Sequence, residues 1–209
     1  MKFKDIYGLE DVKTRLVRTV DENRISHAQL FLGTEGTANL ALAIAYAQYI
    51  NCQRKKDGDS CGECPSCVKY EKLRHPDLHF VFPVAKVPEV KDGEVSSSNS
   101  FYVEKFREKA KESHYHFSLS EWYHKIGIEN KQGHINTEDA RSILDKMAYK
   151  SYEAPYKVMV IWMTELLYHS AAPRLLKVIE EPPPGSLFLL ISHQADKIIS
   201  TILSRAQTI

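Results

Sequence analysis

Four cysteines stand close together in this sequence and have the spacing of a metal site. They are Cys52, Cys61, Cys64 and Cys67, and the chain contains no other cysteine. Cysteines separated by two residues can chelate one ion, and four thiolates form the tetrahedral sulfur shell that zinc favours. Such a shell has no open coordination position, so we predict a structural rather than a catalytic zinc ion. Four unliganded thiols and an iron–sulfur cluster are the alternatives.

A glycine-containing turn lies between an apolar run at 28–32 and an Ala-rich helical stretch. A loop that binds nucleotide phosphates at such a place has the pattern G-x-x-x-x-G-K-[ST], in which the lysine contacts the phosphates and the hydroxyl binds Mg²⁺. Gly33 matches the first position, Gly36 lies inside the loop, and the last three positions hold Ala38, Asn39 and Leu40. We predict a loop that keeps this framework without its phosphate chemistry. An ordinary turn before a helix is the alternative.

A continuous apolar run at 157–163 predicts a strand that is buried on both faces, as in a parallel sheet. In proteins with a phosphate-binding loop, such a strand ends in acidic residues that bind Mg²⁺ and orient the attacking water. In the simplest register, Trp162 and Met163 occupy the two acidic positions. A register two residues later would place Glu165 at the second position and keep a base there. The simplest register predicts that this element, too, has lost its catalytic groups.

Alternating strands and helices predict an α/β domain with a mainly parallel sheet. Strands are expected at 28–32, 78–82, 157–163, 187–192 and 207–209. Helices are expected at 9–22, 36–50, 101–113, 118–126, 137–149, 171–181 and 196–203, with Thr137 as the N-cap of its helix. The segment 83–100 is rich in Pro, Gly and Ser and predicts an exposed loop.

The composition of the 209 residues excludes several classes of protein. A net charge of +1 provides no overall attraction to nucleic acid or to an anionic membrane. Apolar runs are all far shorter than the roughly 20 residues that span a bilayer. The first residues lack the apolar region of a signal peptide. We therefore expect a cytoplasmic protein without membrane contacts.

Two further segments are long and specific. They read LLKVIEEPP at 175–183 and TILSRAQ at 201–207, and His27-Ala28 precedes the first strand. Together they resemble the bacterial clamp-loader AAA+ family of DNA polymerase III, whose members share an LLK-x-LEEPP helix end and a TI-x-SRCQ segment. The resemblance implies a P-loop NTPase (AAA+) fold with mainly parallel strands, flanking helices and a zinc-binding module inserted at about 52–67. It covers most of the chain except about 83–133, which we interpret as a family-atypical insertion.

Within this family, gamma/tau subunits have an intact phosphate-binding loop and hydrolyse ATP, whereas the delta-prime subunit typically has a degenerate loop and acts as a rigid stator. Asn39, Leu40 and the missing acids place this chain with delta-prime, so ATP binding and intrinsic ATPase activity are not expected. The resemblance implies gamma/tau and delta subunits as partners, and the sliding clamp and primed DNA through the assembly. It also implies that residues 1–209 form the first AAA+ domain, and that the family's lid and collar domains are absent from this chain.

The resemblance also gives a role to one arginine. Ser204-Arg205-Ala206 corresponds to the family's Ser-Arg-Cys motif, so Arg205, with Ser204, is expected to be an arginine finger that acts in trans on a neighbouring ATP site. A surface or ion-paired arginine is the alternative. Glu180 and Glu181 point in different directions on a helix, which favours surface or capping roles over a catalytic pair. An active gamma/tau-type ATPase and a zinc-ribbon nucleic-acid-binding module are the competing functions.

Overall fold

A five-stranded parallel sheet is the central element of the computed structural model, which describes residues 1–85 and 98–209. The strand order is β2-β3-β4-β1-β5, and every neighbouring pair runs parallel. The strands are β1 (Ala28–Leu32), β2 (Leu78–Val81), β3 (Lys157–Trp162), β4 (Ser186–Ser192) and β5 (Gln207–Thr208). The predicted α/β class with a parallel sheet is confirmed.

Helices cover both faces of this sheet. In the described part of the chain they are α1 (Glu10–Asp21), α2 (Asn39–Ile50), α3 (Pro65–Glu71), α4 (Ser98–Glu112), α5 (Leu119–Ile126), α6 (Thr137–Ala148), α7 (Ala172–Glu180) and α8 (Ser200–Leu203). Short 3-10 helices occur at Phe3–Asp5, Thr164–Leu166 and Ala195–Lys197. Among the described residues, no helix is long and apolar enough to cross a membrane.

The central strands are buried completely because helices pack against both of their faces. Every residue of β3 and β4 is buried. Side chains alternate between the faces: Val158 and Val160 pack with α2, α4 and α5, whereas Met159 and Ile161 pack with α6 and α7. This burial explains why the strand at 157–163 has no polar alternation.

Several boundaries differ from those predicted. Asn136, not Thr137, caps α6, because its side chain accepts the N–H of Asp139 and the Asp139 carboxylate accepts the N–H of Asn136. The helix expected at 196–203 is divided into a 3-10 turn and α8. Of the loop expected at 83–100, residues 86–97 lie outside the described residues, and the last three residues begin α4. Helix α3 was not predicted, because it is short and lies among the cysteines.

Candidate functional site

The four cysteines meet at one point beside α2 and α3. Their Sγ atoms all lie within 4.8 Å of one another. The Sγ atoms of Cys52 and Cys61 are 3.6 Å apart, and those of Cys61 and Cys67 are 3.9 Å apart. A tetrahedral zinc ion with Zn–S bonds of about 2.3 Å needs sulfur–sulfur separations of roughly 3.8 Å. The donor set and its spacing therefore fit a tetrahedral metal ion.

Backbone N–H groups around the cysteines favour the thiolate form. The N–H of Cys61 points to Cys52 Sγ at 3.3 Å, and the N–H of Cys67 points to Cys64 Sγ at 3.4 Å. Burial raises the pKa of Cys61, but the N–H groups of Glu63 and Cys64 outweigh it and lower that pKa to about 6. Burial raises the pKa of Cys52 and Cys67. Metal binding would offset that cost, because a bound cation deprotonates its thiol ligands.

The cysteine cluster is attached firmly to the rest of the domain. The Asp59 carboxylate accepts the N–H groups of Phe3 and Lys4, each at 3.1 Å. The Gln48 side chain in α2 donates to Ser60 Oγ at 2.9 Å. These bonds join the segment between Cys52 and Cys61 to the N-terminal residues and to α2.

The side chains of Thr37 and Asn39 make their hydrogen bonds within the loop 33–40. Thr37 donates to the Thr34 carbonyl oxygen through both its N–H (3.2 Å) and its hydroxyl (2.7 Å). The Asn39 amide donates to the Gly33 carbonyl oxygen at 3.4 Å. A Cβ added at Gly33 would lie 2.9 Å from the side chains of Asn39 and Thr37, and Gly36 has a φ of +87°, which favours glycine. The loop is therefore a tight turn held by two uncharged polar side chains, of which Thr37 is exposed and Asn39 is buried.

The three residues that we assign from the sequence to Mg²⁺-binding positions lie in the hydrophobic core. Leu40, in the first turn of α2, is 4% exposed. At the end of β3, Trp162 is 1% exposed and Met163 is 3% exposed. All three side chains belong to the same apolar cluster as the inner faces of α2 and the sheet. These buried side chains carry no oxygen atoms, which Mg²⁺ requires as ligands.

Aromatic residues from α4 and the segment before α5 cover this end of β3. The Trp162 ring lies 4.7 Å from the Phe117 ring and 5.7 Å from the Phe106 ring, measured between centroids. Phe106 also stacks on Phe82 at 4.4 Å, and the Trp122 indole donates to the Pro83 carbonyl oxygen at 2.9 Å. Although α4 is rich in charged residues, one of its faces is apolar and buried. Tyr102, Phe106 and Ala110, which are spaced four residues apart, lie on this face.

Glu165, the acid of the later register, has a different environment. It lies in the 3-10 turn after β3, and its Oε1 accepts the N–H of His193 at 3.0 Å. Its Oε2 is buried and has no hydrogen-bond partner among the described residues. Met163, immediately before this turn, has a φ of +59°, an uncommon value for a side chain of this kind. Glu165 therefore links the ends of β3 and β4.

Ser204 and Arg205 lie apart from these groups in sequence, between α8 and β5, and both are exposed. Arg205 Nη1 donates to the Thr201 carbonyl oxygen at 3.0 Å and to Ser204 Oγ at 3.3 Å. Arg205 Nη2 forms an ion pair with Glu180 Oε1 at 2.6 Å. The guanidinium is on the surface, where another molecule can reach it.

One buried carboxylate was not predicted from the sequence. Asp77 accepts the N–H groups of Tyr152, Glu153 and Ala154 at 2.5, 2.9 and 2.9 Å. Burial raises its pKa, but the three N–H groups outweigh burial and hold the pKa below its usual range. Its partners lie far away in the sequence, so no local motif could indicate this contact. Asp77 fixes the loop that leads into β3.

Comparison with known proteins establishes the family. Residues 8–209 match the protein family described as "DNA polymerase III, delta subunit". The chain belongs to this family. The match spans almost the whole chain, and it confirms the resemblance to the clamp-loader AAA+ proteins that the LLKVIEEPP and TILSRAQ segments indicate.

Curated relatives include two kinds of DNA polymerase III subunit. The chain is 28% identical to subunit tau/gamma of Haemophilus influenzae over 97% of its length and 22% of the relative's. It is 27% identical to subunit delta' of Bacillus subtilis over 93% of its length and 44% of the relative's. With subunit delta' of Yersinia pestis it shares 28% identity over 91% of its length and 43% of the relative's. The chain thus spans less than half the length of these relatives.

A solved structure supports the fold. A DNA polymerase III gamma subunit-related protein from Thermotoga maritima aligns with 94% of this chain and 44% of its own, with a TM-score of 0.51 and 14% sequence identity. At this identity the likeness concerns the fold alone. It agrees with the parallel sheet and the flanking helices described above.

Proposed function

We propose that this chain is the AAA+ domain of a non-hydrolysing, delta-prime-like subunit of the DNA polymerase III clamp loader. The observation that carries the proposal is the burial of Leu40, Trp162 and Met163 in the core, at the positions where an active ATPase binds Mg²⁺. Asn39 adds to it, because an amide bonded within the loop cannot neutralise a phosphate. In this role the subunit is a rigid stator within the assembly and does not bind ATP.

The partners follow from the family. In the proposed assembly, gamma/tau and delta subunits surround this chain, and the sliding clamp and primed DNA are engaged through the complex. The four cysteines hold a structural zinc ion that stiffens the segment 52–67. This ion takes no part in chemistry, because four thiolates leave no open position.

A second part of the proposal concerns Arg205 and ATP hydrolysis by a neighbouring subunit. We propose that it enters the ATP site of an adjacent ATPase subunit as an arginine finger, with Ser204 beside it. Exposure of the side chain supports this role, as does the permanent charge and forked geometry of a guanidinium, which suits phosphate oxygens. Fingers of this type accelerate phosphoryl transfer by roughly 10³–10⁵ at the site they serve.

The test uses the full-length protein reconstituted with its clamp-loader partners. Arg205→Ala should lower the ATPase rate of the complex, because one ATP site loses its finger, while assembly measured by gel filtration stays unchanged. Arg24→Ala, which removes an exposed arginine paired with Glu22, is the matched control and should change neither quantity. An unchanged ATPase rate in the Arg205→Ala complex would reject the finger role.

An active gamma/tau-type ATPase is the second candidate, because subunit tau/gamma of Haemophilus influenzae and subunit delta' of Yersinia pestis are each 28% identical to this chain. The isolated chain would then release phosphate from ATP in the presence of Mg²⁺. A rate no higher than that of buffer alone excludes this candidate.

A further inference from the structure

Glu180 contacts the proposed arginine finger directly. Its Oε1 lies 2.6 Å from Arg205 Nη2, and both side chains are exposed. The sequence predicts only a surface or capping role for Glu180. We propose that Glu180 is a positioning residue, which holds one edge of the Arg205 guanidinium so that the remaining N–H groups face a phosphate on the neighbouring subunit. This inference rests on the proposed function of Arg205.

Three acceptors fix the guanidinium from two elements. Glu180 ends α7, whereas Thr201, whose carbonyl oxygen accepts, lies within α8 and Ser204 follows it. Both bonds from α8 go to Nη1, and the ion pair goes to Nη2. Nε makes no hydrogen bond to the described part of the chain. An arginine has five N–H donors, so this arrangement leaves donors free for phosphate oxygens.

Both ends of the contact rest on the same rigid core. Ile179 in α7 and Ile202 in α8 are fully or almost fully buried in the same apolar cluster. Pro182, Pro183 and Pro184 follow the end of α7 and restrict its backbone. The backbone positions of Glu180 and Arg205 are therefore fixed relative to each other. Because the Arg205 side chain is already held, it loses less conformational freedom when it binds a phosphate.

Helix stability does not account for a carboxylate at this place. Glu180 is the last residue of α7, where the negative end of the helix dipole disfavours an anion. Its pairing with Arg205 offsets that repulsion. Glu181, the next residue, is also exposed, and in the described structure its side chain makes no ion pair or hydrogen bond. The adjacent pair thus provides a test residue and a matched control.

The experiment measures ATP hydrolysis by the reconstituted clamp loader that contains the full-length subunit. Glu180→Gln keeps the side-chain shape and removes the charge that attracts the guanidinium. We expect kcat to fall about two- to fivefold, as for the loss of an exposed ion pair, with KM and assembly unchanged. Glu181→Gln should match the wild type. In an Arg205→Ala background, Glu180→Gln should have no further effect, whereas a merely structural role would add to the loss.

Two different results would overturn the inference about Glu180, and they distinguish its failure from the failure of the proposed role of Arg205. If Arg205→Ala lowers kcat but Glu180→Gln behaves like Glu181→Gln or raises kcat, the finger stands and the positioning role of Glu180 is wrong. If Arg205→Ala leaves kcat unchanged, the proposed function of Arg205 is wrong, and the inference about Glu180 is rejected with it.

Discussion

At the scale of single residues, uncharged groups lie where we propose that an active nucleotide site would have charged ones, and buried charges occur elsewhere. Asn39 is bonded within its own loop, and Trp162 lies in the core. Asp77, by contrast, is a buried carboxylate that binds three backbone N–H groups and fixes the chain before β3. Polar interactions in this domain therefore maintain its backbone geometry, and the proposed chemistry depends on the surface arginine.

Replacing Asp77 tests this structural role. We expect Asp77→Asn to lower the free energy of unfolding at pH 7 by about 2–3 kcal/mol, because the amide cannot accept three N–H groups. Asp145→Asn, on the exposed side of α6, is the control and should have little effect. Urea unfolding followed by circular dichroism measures both. Equal stability of Asp77→Asn and the wild type would contradict the account.

The pH dependence of that difference has a definite sign. The folded pKa of Asp77 lies below its usual value, so its contribution is fully present above the unfolded pKa of about 3.9. It is lost as the pH falls through the lower folded pKa. The stability gap between wild type and Asp77→Asn should therefore close in strongly acidic solution and stay constant between pH 6 and pH 8.

At the scale of elements, sequence patterns predict what is set by local periodicity and miss what is set by distant contacts. The strand at Ala28–Leu32 has its predicted bounds, and β3 and β4 differ from the prediction by one residue at one end. Helix α3 was not predicted because it has only seven residues, begins directly after Cys64 and contains Cys67. The cysteine cluster was predictable from spacing alone. The covering of Trp162 by Phe106 and Phe117 was not, because it depends on tertiary packing.

The aromatic face of α4 should contribute strongly to stability. Phe106 is 0% exposed and lies within 5.8 Å of five aromatic rings, whereas Phe101 on the same helix is 55% exposed. We expect Phe106→Ala to lower the free energy of unfolding by about 3–5 kcal/mol. Phe101→Ala should change it by less than about 0.5 kcal/mol. Chemical denaturation compares them, and similar losses in the two variants would show that α4 does not pack as described.

Metal removal should affect one element and leave the sheet intact. Chelation of the proposed zinc ion is expected to increase amide hydrogen exchange in 52–71, because the four thiolates then repel one another without the cation that they share. Exchange in β1, β3 and β4 should stay slow, since these strands are buried independently of the cysteines. Mass spectrometry with and without chelator provides the comparison. Global exchange on mild chelation would contradict a local role.

At the scale of the whole molecule, the domain has a parallel sheet with flanking helices, and the positions to which we assign the lost catalytic groups are apolar. In the parallel sheet β2-β3-β4-β1-β5, the loop 33–40 after β1 and the end of β3 lie at the same edge of the sheet, on either side of the end of β4. Both contribute apolar groups to one core cluster. Such a domain is suited to hold a fixed shape within an assembly and to offer Arg205 to a neighbour.

The most direct test of this account is a calorimetric titration of the chain with Mg-ATP. We predict no saturable heat of binding, because the loop lacks its lysine and the Mg²⁺ positions are occupied by Leu40, Trp162 and Met163. An ATPase-competent gamma/tau subunit titrated under the same conditions is the positive control. Saturable binding with micromolar affinity would contradict the account, since it would show that the loop backbone still holds a nucleotide.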